Sequence, residues 1–210
     1  MKAVRWHWLL ALACVLVFAF LATQLLLQGP VTHADQHVTL WLAARRHGTL
    51  SAAMLFITNV HETVLLLAAT AAIAAWRAWR HDGASVRMLA VVPAGMLLNV
   101  GLKHAFARAR PVLDEPLVHL TTYSFPSGHA VASTVFYGAL CALVFIHSRR
   151  AAPRAAAAVG AAAMVLLVCA SRVYLGAHYL SDVVAGMAVG VLCLLAFLRL
   201  RDRRSPDGAA

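Results

Sequence analysis

The sequence predicts an all-α membrane protein, a polytopic bundle of six transmembrane helices, and three observations lead to that fold class. Of the 210 residues, 62% are hydrophobic and only 12% are charged. The apolar stretches are long enough to cross a bilayer, which takes about 20 helical residues. The basic residues are concentrated in the short connections between those stretches. A bundle of this size is expected to occupy residues 1–204 as one domain, followed by a disordered tail at residues 205–210.

Six apolar stretches are predicted to be the membrane spans. They lie at roughly 8–27, 57–76, 86–105, 129–147, 155–171 and 181–199. The first could pass for a secretory signal, but its apolar run exceeds the usual length of about 7–15 residues, which favours a retained helix. Residues 28–56 are polar and mixed, and an interfacial helix on the outer leaflet would suit them. The Ala-rich segment of the fifth stretch, Ala155–Ala163, is typical of closely packed membrane helices. The third stretch ends, and the fourth and sixth begin, at polar segments that carry the candidate site.

The net charge of +10 could suggest a nucleic-acid partner, but the distribution of the charge indicates otherwise. Four basic clusters are Lys2 and Arg5; Arg77, Arg80 and Arg87; Arg149, Arg150 and Arg154; and Arg199, Arg201, Arg203 and Arg204. With six spans, all four clusters fall on one side of the membrane, and the positive-inside rule makes that side cytoplasmic. The charge therefore sets topology: both termini are predicted to be cytoplasmic, and no nucleic acid is expected to bind.

The four cysteines all fall within predicted spans and show no CxxC spacing. They are Cys14, Cys141, Cys169 and Cys193. Buried thiols of this kind behave as small apolar side chains, so we predict neither disulfides nor metal ligands at these positions.

Two cations mark the end of the third span, in the stretch KHAFARARP. Lys103 and Arg110 are seven residues apart, about two helical turns, so both can project from one helix face. Pro111 predicts that the helix ends at Arg110. Two converging cations suit an oxyanion such as phosphate, although the same residues would also suit side chains that reach the outer membrane interface. Arg108 is two residues from Arg110 and is predicted to point elsewhere.

The stretch SFPSGHA precedes the fourth span. Ser127 and Gly128 stand just before a predicted helix start, where free N–H groups and the positive end of the helix dipole favour an anion. Gly128 permits close backbone approach. An ordinary N-cap by Ser127 would explain the Pro-Ser-Gly sequence equally well, but it would leave His129 without a role.

A histidine and a carboxylate precede the sixth span in the stretch SRVYLGAHYLSD. His178 and Asp182 are four residues apart, one helical turn, so the carboxylate can meet the imidazole on one face. Such a partner fixes the tautomer and leaves the other ring nitrogen as a nucleophile. Arg172 supplies a third cation. A His–Asp pair that merely starts a helix is the alternative.

The three motifs together are much more specific than any one of them. Lys-x6-Arg-Pro, Pro-Ser-Gly-His and Ser-Arg-x5-His-x3-Asp occur in this order and map to one membrane face. With these motifs the chain resembles the type 2 phosphatidic acid phosphatases, a family of integral-membrane lipid phosphatases. The resemblance implies roles for eight residues. His178 would attack phosphorus, Asp182 would orient it, and His129 would act as general acid and base. The phosphate would be held by Lys103, Arg110, Ser127, Gly128 and Arg172.

The resemblance also implies the reaction and its setting. Three side-chain cations would do what Mg²⁺ does elsewhere, so neither metal nor cofactor is expected. The expected partners are membrane lipids and a lipid phosphate or diphosphate substrate, such as undecaprenyl diphosphate, phosphatidylglycerol phosphate or phosphatidic acid. The expected location is a bacterial inner membrane with the site facing the periplasm or exterior. A lipid phosphotransferase of the same family is the alternative enzyme, and a small transporter or scaffold is the alternative of another class. The sequence favours no particular oligomeric state.

Overall fold

The computed structural model describes the backbone of residues 2–202 and the side chains of residues 6–200, so the tail predicted at 205–210 lies outside the described residues. Residues 2–202 form nine helices and no strand, which confirms the predicted all-α class. The helices are α1 (Lys2–Leu26), α2 (Pro30–Ala43), α3 (Gly48–Val60), α4 (Thr63–Trp79), α5 (Gly83–Leu89), α6 (Val91–Phe106), α7 (Gly128–His147), α8 (Ala151–Tyr174) and α9 (Leu180–Asp202).

The predicted six-span pattern is matched by five continuous spans and one bent pair of helices. Among the described residues, the five stretches long and apolar enough to cross a membrane are Trp6–Leu26, Gly83–Phe106, Gly128–His147, Ala151–Tyr174 and Leu180–Leu200. Gly83–Phe106 comprises α5 and α6. The sixth span is complete only if α3 and α4 are counted together, and they are bent by 44° at their junction.

The second predicted span, 57–76, is wrong in its boundaries because a break divides it. Residues His61 and Glu62 separate α3 from α4. The His61 ring turns back to the Ile57 carbonyl oxygen at 2.7 Å and lies 2.7 Å from the Tyr137 hydroxyl of α7. The imidazole therefore forms a helix–helix contact at the point where the backbone leaves the α3 axis. A break in a membrane helix is tolerated where polar side chains hydrogen-bond to the backbone groups beside it, as the His61 ring does to the Ile57 carbonyl oxygen.

The polar segment 28–56 contains α2 and the start of α3. Pro30 occupies the first position of α2, where its missing N–H costs no hydrogen bond. The buried residues of α2 are the polar Thr32, Asp35 and Thr39, and the helix packs against α8 and α9. Its placement at the outer interface stays a prediction, but its buried polar face already distinguishes it from an ordinary amphipathic helix.

Helix α7 lies at the centre of the bundle and packs against α6, α8 and α9. Val131, Val135 and Ala139 of α7 are completely buried. Helix α9 approaches α7 closely through glycines: a Cβ at Gly186 would lie 2.8 Å from the Ala130 Cβ atom. This close packing brings the first turns of α7 and α9 together, where the Ser127 N–H donates to the Asp182 carbonyl oxygen at 3.0 Å.

The cysteines are unpaired thiols, as predicted. Cys14, Cys141 and Cys193 are partly buried, and Cys169 is buried. Large apolar side chains such as Leu97, which is 75% exposed, cover the outside of the bundle, as they do in proteins whose helices face lipid.

Candidate active site

A cavity of about 230 Å³ lies where the end of α6, the start of α7 and the end of α8 meet the turn before α9. Its lining brings together six of the eight residues predicted from the sequence: Lys103, Arg110, Gly128, His129, Arg172 and His178. The other two, Ser127 and Asp182, are completely buried and adjoin the cavity through Gly128 and His178. Segments that are distant in the chain thus form one polar site at one end of the bundle.

His178 and Asp182 meet as predicted, but the backbone that joins them is not the one the spacing suggested. His178 lies in the turn before α9, since the helix begins only at Leu180. Asp182 is the third residue of α9, and its Oδ2 atom accepts from the N–H of Tyr179, the N-cap position, at 2.9 Å. This is the carboxylate half of a capping box. The same Oδ2 atom lies 3.4 Å from the His178 Nδ1 atom.

The hydrogen bonds of His178 determine its tautomer. Its Nε2 atom lies 3.2 Å from Nη1 of Arg110. A guanidinium only donates, so Nε2 must accept and carries the lone pair. The proton is then on Nδ1, which faces Asp182. Burial lowers the pKa of His178 to about 3, against the opposing effect of Asp182. The imidazole is therefore neutral at physiological pH, with its nucleophilic nitrogen toward the cavity.

Ser124 is a site residue that the sequence reasoning missed. Its hydroxyl donates to Oδ2 of Asp182 and lies 3.4 Å from Nδ1 of His178, so it fixes the same carboxylate oxygen that faces the imidazole. Its backbone N–H donates to the Arg108 carbonyl oxygen at 2.8 Å. Ser124 stands within the SFPSGHA stretch, but no spacing rule links a loop hydroxyl to a carboxylate on a different helix.

Three cations line the cavity without a carboxylate partner. Arg110 donates to the carbonyl oxygens of Thr122 and Ala177, both at 2.6 Å, and Lys103 donates to the Tyr123 carbonyl oxygen. Arg172 is 3% exposed. Within the described part of the chain, no Asp or Glu lies within ion-pairing distance of Lys103, Arg110 or Arg172. Buried cations normally have a counter-charge.

Arg172 is also incompletely hydrogen-bonded. Its Nη1 atom donates to the Thr58 hydroxyl, whereas its Nε atom is buried and has no hydrogen-bond partner among the described side chains and backbone. A buried donor without an acceptor is costly, and here it belongs to a side chain that lines the cavity. The cavity wall thus carries excess positive charge and an unpaired hydrogen-bond donor in the same place.

The start of α7 forms one wall of the cavity. The Ser127 hydroxyl oxygen caps the helix by accepting from the Ala130 N–H at 3.4 Å, so its predicted contact with phosphate would have to be made as a donor. Gly128 is closely approached: a Cβ there would lie 3.2 Å from the Asn99 Oδ1 atom and 3.8 Å from the Lys103 Cε atom. His129 follows in the first turn and lines the cavity with its imidazole partly exposed.

The prediction that one helix carries Lys103 and Arg110 as far as Pro111 is wrong, because α6 ends at Phe106 and Arg110 reaches the cavity from the loop. Arg108, in the same loop, does not line this cavity, so its predicted direction holds although the helical spacing behind the prediction does not. It lines a separate cavity near α1 and α2, and its guanidinium forms ion pairs with Asp182 at 2.5 Å and with Asp35 at 2.8 Å. Asp35, on α2, is a second residue that the sequence reasoning did not single out. Both lie behind the His178–Asp182 pair.

Comparison with known proteins gives consistent matches. A sequence model described as the PAP2 superfamily matches residues 84–206. The chain is 31% identical over 164 residues to phosphatidylglycerophosphatase B of Bacillus subtilis, covering 77% of this chain and 80% of that protein. It is 38% identical over 133 residues to a lipid A 1-phosphatase of Rhizobium etli, covering 56% of this chain and 53% of that protein.

Two solved structures share the architecture. The crystal structure of a transmembrane PAP2 type phosphatidylglycerolphosphate phosphatase from Bacillus subtilis matches with a TM-score of 0.84 and 28% identity, covering 93% of this chain and 98% of that chain. The crystal structure of LpxE from Aquifex aeolicus matches with a TM-score of 0.60 and 19% identity, covering 78% of this chain and 93% of that chain. The second match shows the fold alone.

Proposed function

Since the chain belongs to the PAP2 superfamily and is an integral-membrane lipid phosphatase, we propose that it hydrolyses a lipid phosphate or diphosphate through a phosphohistidine on His178. The observation that carries this mechanism is the charge of the cavity. Three cations without carboxylate partners line the same cavity as a neutral imidazole, and Nη1 of one of them, Arg110, lies 3.2 Å from its Nε2 atom. A phosphate would supply the missing negative charge and acceptors, and would place phosphorus before the Nε2 atom.

In the first step the His178 Nε2 atom attacks phosphorus and a P–O bond to the lipid breaks. His129, which the negative charge of the bound phosphate helps to protonate, gives its proton to the leaving oxygen, so the lipid departs as an alcohol or a monophosphate. The imidazole of His178 becomes cationic when the N–P bond forms, and the carboxylate of Asp182 stabilises that charge through Nδ1–H. Lys103, Arg110 and Arg172 neutralise the phosphoryl oxygens.

In the second step a water molecule attacks the phosphohistidine from the side the lipid has left. His129, now neutral, takes a proton from that water while the O–P bond forms and the N–P bond breaks. His178 returns to its neutral form and inorganic phosphate is released. The proton given to the leaving group in the first step is thereby recovered by His129, so the cycle balances without a metal ion.

We further propose that the site faces away from the cytoplasm. The cavity lies at the start of α7, beside Gly128, whereas His147 ends the same helix about 30 Å away. At that far end Nη2 of Arg77, in the last turn of α4, lies 2.5 Å from Nε2 of His147. The positive-inside rule makes the Arg77 end cytoplasmic, and both termini with it, which leaves the cavity at the periplasmic or exterior end.

The relatives and the cavity both support a lipid phosphate as the substrate class. The Bacillus subtilis relative is a phosphatidylglycerophosphatase, which favours phosphatidylglycerol phosphate, with phosphatidic acid and undecaprenyl diphosphate as further candidates. Met96 and Val100 of α6 line the cavity beside the cations. A phosphate head among the cations and an apolar chain along α6 would suit a lipid phosphate better than a soluble phosphate ester.

The test is phosphate release from purified enzyme given short-chain phosphatidylglycerol phosphate, phosphatidic acid and undecaprenyl diphosphate in turn. His178→Ala is the blank, and His104→Ala is the matched control, because His104 is exposed and does not line the cavity. Rapid quenching with a radiolabelled lipid phosphate should trap acid-labile, base-stable phosphate on the wild-type chain and on the control. Absence of this label together with substantial turnover by His178→Ala would refute the mechanism. Transfer of the label to a second lipid instead of water would show a phosphotransferase.

A further inference from the structure

Behind the cavity lies a buried cluster of which the mechanism above uses only Asp182. We call it the Asp35–Arg108 cluster, and it comprises Asp35, Arg108 and Ser181 together with the carboxylate of Asp182. All four residues are nearly or fully inaccessible, with exposures of 3%, 9%, 6% and 0% in that order. Charged groups are rarely buried to this extent unless they are paired and hydrogen-bonded. The cluster joins α2 to the start of α9 through the loop that follows α6.

Arg108 holds two carboxylates at once. Its Nη1 atom lies 2.5 Å from Oδ1 of Asp182, and its Nη2 atom lies 2.8 Å from Oδ2 of Asp35. The guanidinium also lies over the Tyr179 ring, with Cζ 4.0 Å from the ring centroid. Its plane is therefore fixed by two ion pairs and one aromatic face. Oδ1 of Asp182 is thereby held toward Arg108, which leaves Oδ2 turned to His178.

Asp35 fixes this arrangement from the other side. Its Oδ1 atom accepts from the Ser181 N–H at 3.0 Å, and its Oδ2 atom accepts from the Ser181 hydroxyl as well as from Arg108. The Ser181 hydroxyl oxygen in turn lies 2.8 Å from Nη1 of Arg108. Asp35 thus ties the first turn of α9 and the guanidinium to one another, although it stands 146 residues from Ser181 in the chain.

The second carboxylate also changes the charge beside His178. Arg108 and Asp182 alone would form a pair with no net charge. The Arg108 cation would then offset the negative charge of Asp182, which stabilises a positive His178 imidazole. Asp35 shares the cation, so the cluster as a whole carries one net negative charge. In a buried site this charge favours the positive imidazole that forms when Nε2 binds phosphorus.

We infer that Asp35 and Arg108 are positioning residues for phosphoryl transfer, acting through Asp182 on His178 and touching neither phosphate nor water. The inference rests on the proposed function, since it concerns the orientation and charge of the group that supports the nucleophile. It predicts an effect on the chemical step and none on phosphate binding, because the three binding cations line the cavity whereas Asp35 and Arg108 do not.

The experiment measures kcat, KM and product inhibition by inorganic phosphate for Asp35→Asn, with a short-chain phosphatidic acid in detergent micelles as substrate. The substitution keeps the size of the side chain and removes its charge. We expect kcat to fall about 10-fold to 100-fold, as is common when a group that orients a functional side chain is lost, with KM and phosphate inhibition within about twofold of wild type. Asp114→Asn is the matched control, since it removes an exposed carboxylate of the outer loop and should change none of the three.

A double-mutant cycle separates positioning from simple destabilisation. Arg108→Lys keeps the charge but cannot hold two carboxylates, so it should lower kcat on its own, and Asp35→Asn should add little to it. Losses that multiply independently would overturn the inference, as would a wild-type kcat for Asp35→Asn.

If Asp35→Asn is not recovered folded, Ser181→Ala decides, because it removes the bridging hydroxyl alone. A lowered kcat at unchanged KM supports the inference, and an unchanged kcat overturns it. Lack of hydrolysis by wild-type enzyme on every lipid of the panel would refute the proposed function instead.

Discussion

Replacing Asp182 by Asn should show how far the nucleophile depends on a single carboxylate. In the native site Oδ1 of Asp182 accepts from Arg108, and Oδ2 accepts from Ser124 and from the Tyr179 N–H at 2.9 Å. Oδ2 also lies 3.4 Å from Nδ1 of His178. An amide offers only one acceptor oxygen. Arg108 is the strongest donor and takes that oxygen, so the new NH₂ group is turned toward the imidazole.

The tautomer of His178 then reverses. Facing an NH₂ donor, Nδ1 must accept, so the proton moves to Nε2 at the expense of the contact with Nη1 of Arg110, and the lone pair that points into the cavity is lost. In a catalytic triad the corresponding change lowers kcat about 10⁴-fold. The contact here is long, at 3.4 Å, and Ser124 provides a second acceptor for Nδ1–H. We therefore expect a loss of kcat on the order of 10²-fold to 10⁴-fold, which corresponds to about 3–5 kcal/mol of activation free energy.

The assay is phosphate release at saturating short-chain phosphatidic acid, with Asp114→Asn as control. A thermal unfolding curve accompanies it, because the amide also leaves a buried donor unpaired and should lower the free energy of unfolding by about 1–3 kcal/mol. The reasoning is refuted if Asp182→Asn, folded at the assay temperature, keeps more than about a tenth of the wild-type kcat, since neither a wrong tautomer nor a lost charge permits that.

Three further predictions test the charge, the topology and the protonation state of the site. Turnover should persist in excess EDTA, because Lys103, Arg110 and Arg172 neutralise the phosphate; loss on chelation with recovery on adding Mg²⁺ would contradict this. A single cysteine at the exposed Thr121, in a background without the native cysteines, should react with an impermeant thiol reagent in intact cells, and labelling only after lysis would reverse the topology. Because burial lowers the pKa of His178 to about 3, its imidazole should remain neutral at about pH 5, where an ordinary histidine is mostly protonated. Nitrogen NMR of histidine-labelled protein, assigned with His178→Ala, measures this, and a titration near the ordinary histidine value would count against the burial argument.

Several features of the molecule could be predicted because their signals are local. The length of apolar runs predicted the helical spans, and the family resemblance rested on three short motifs whose residues meet in one cavity. Arg108 and Arg110 line different cavities, as expected, but the helical spacing used to predict this does not apply, because both lie in the loop after Phe106. The roles given to the lining residues stay predictions until the variants are measured.

Other predictions from the sequence were wrong where a local pattern competes with tertiary contacts. The span predicted at 57–76 has the hydropathy of one helix, but the contact of His61 with Tyr137 of α7 accompanies a break that hydropathy does not register. Likewise the spacing of His178 and Asp182 suggested a helical face, whereas His178 precedes the helix. The pair still meets, because Asp182 turns back toward the helix start to cap the Tyr179 N–H.

The sequence by itself determined the apolar helices, apart from the break at His61, and the short motifs whose residues line the site. Each of these depends on neighbours within a few turns of helix. Only the tertiary structure decided the tautomer of His178, the role of Ser124 and the Asp35–Arg108 cluster. Arg108 meets Asp182 across 74 residues of chain, and Asp35 meets Ser181 across 146. Such contacts depend on how α2, α7 and α9 pack, and the direction of a buried side chain follows from that packing rather than from its spacing in the sequence.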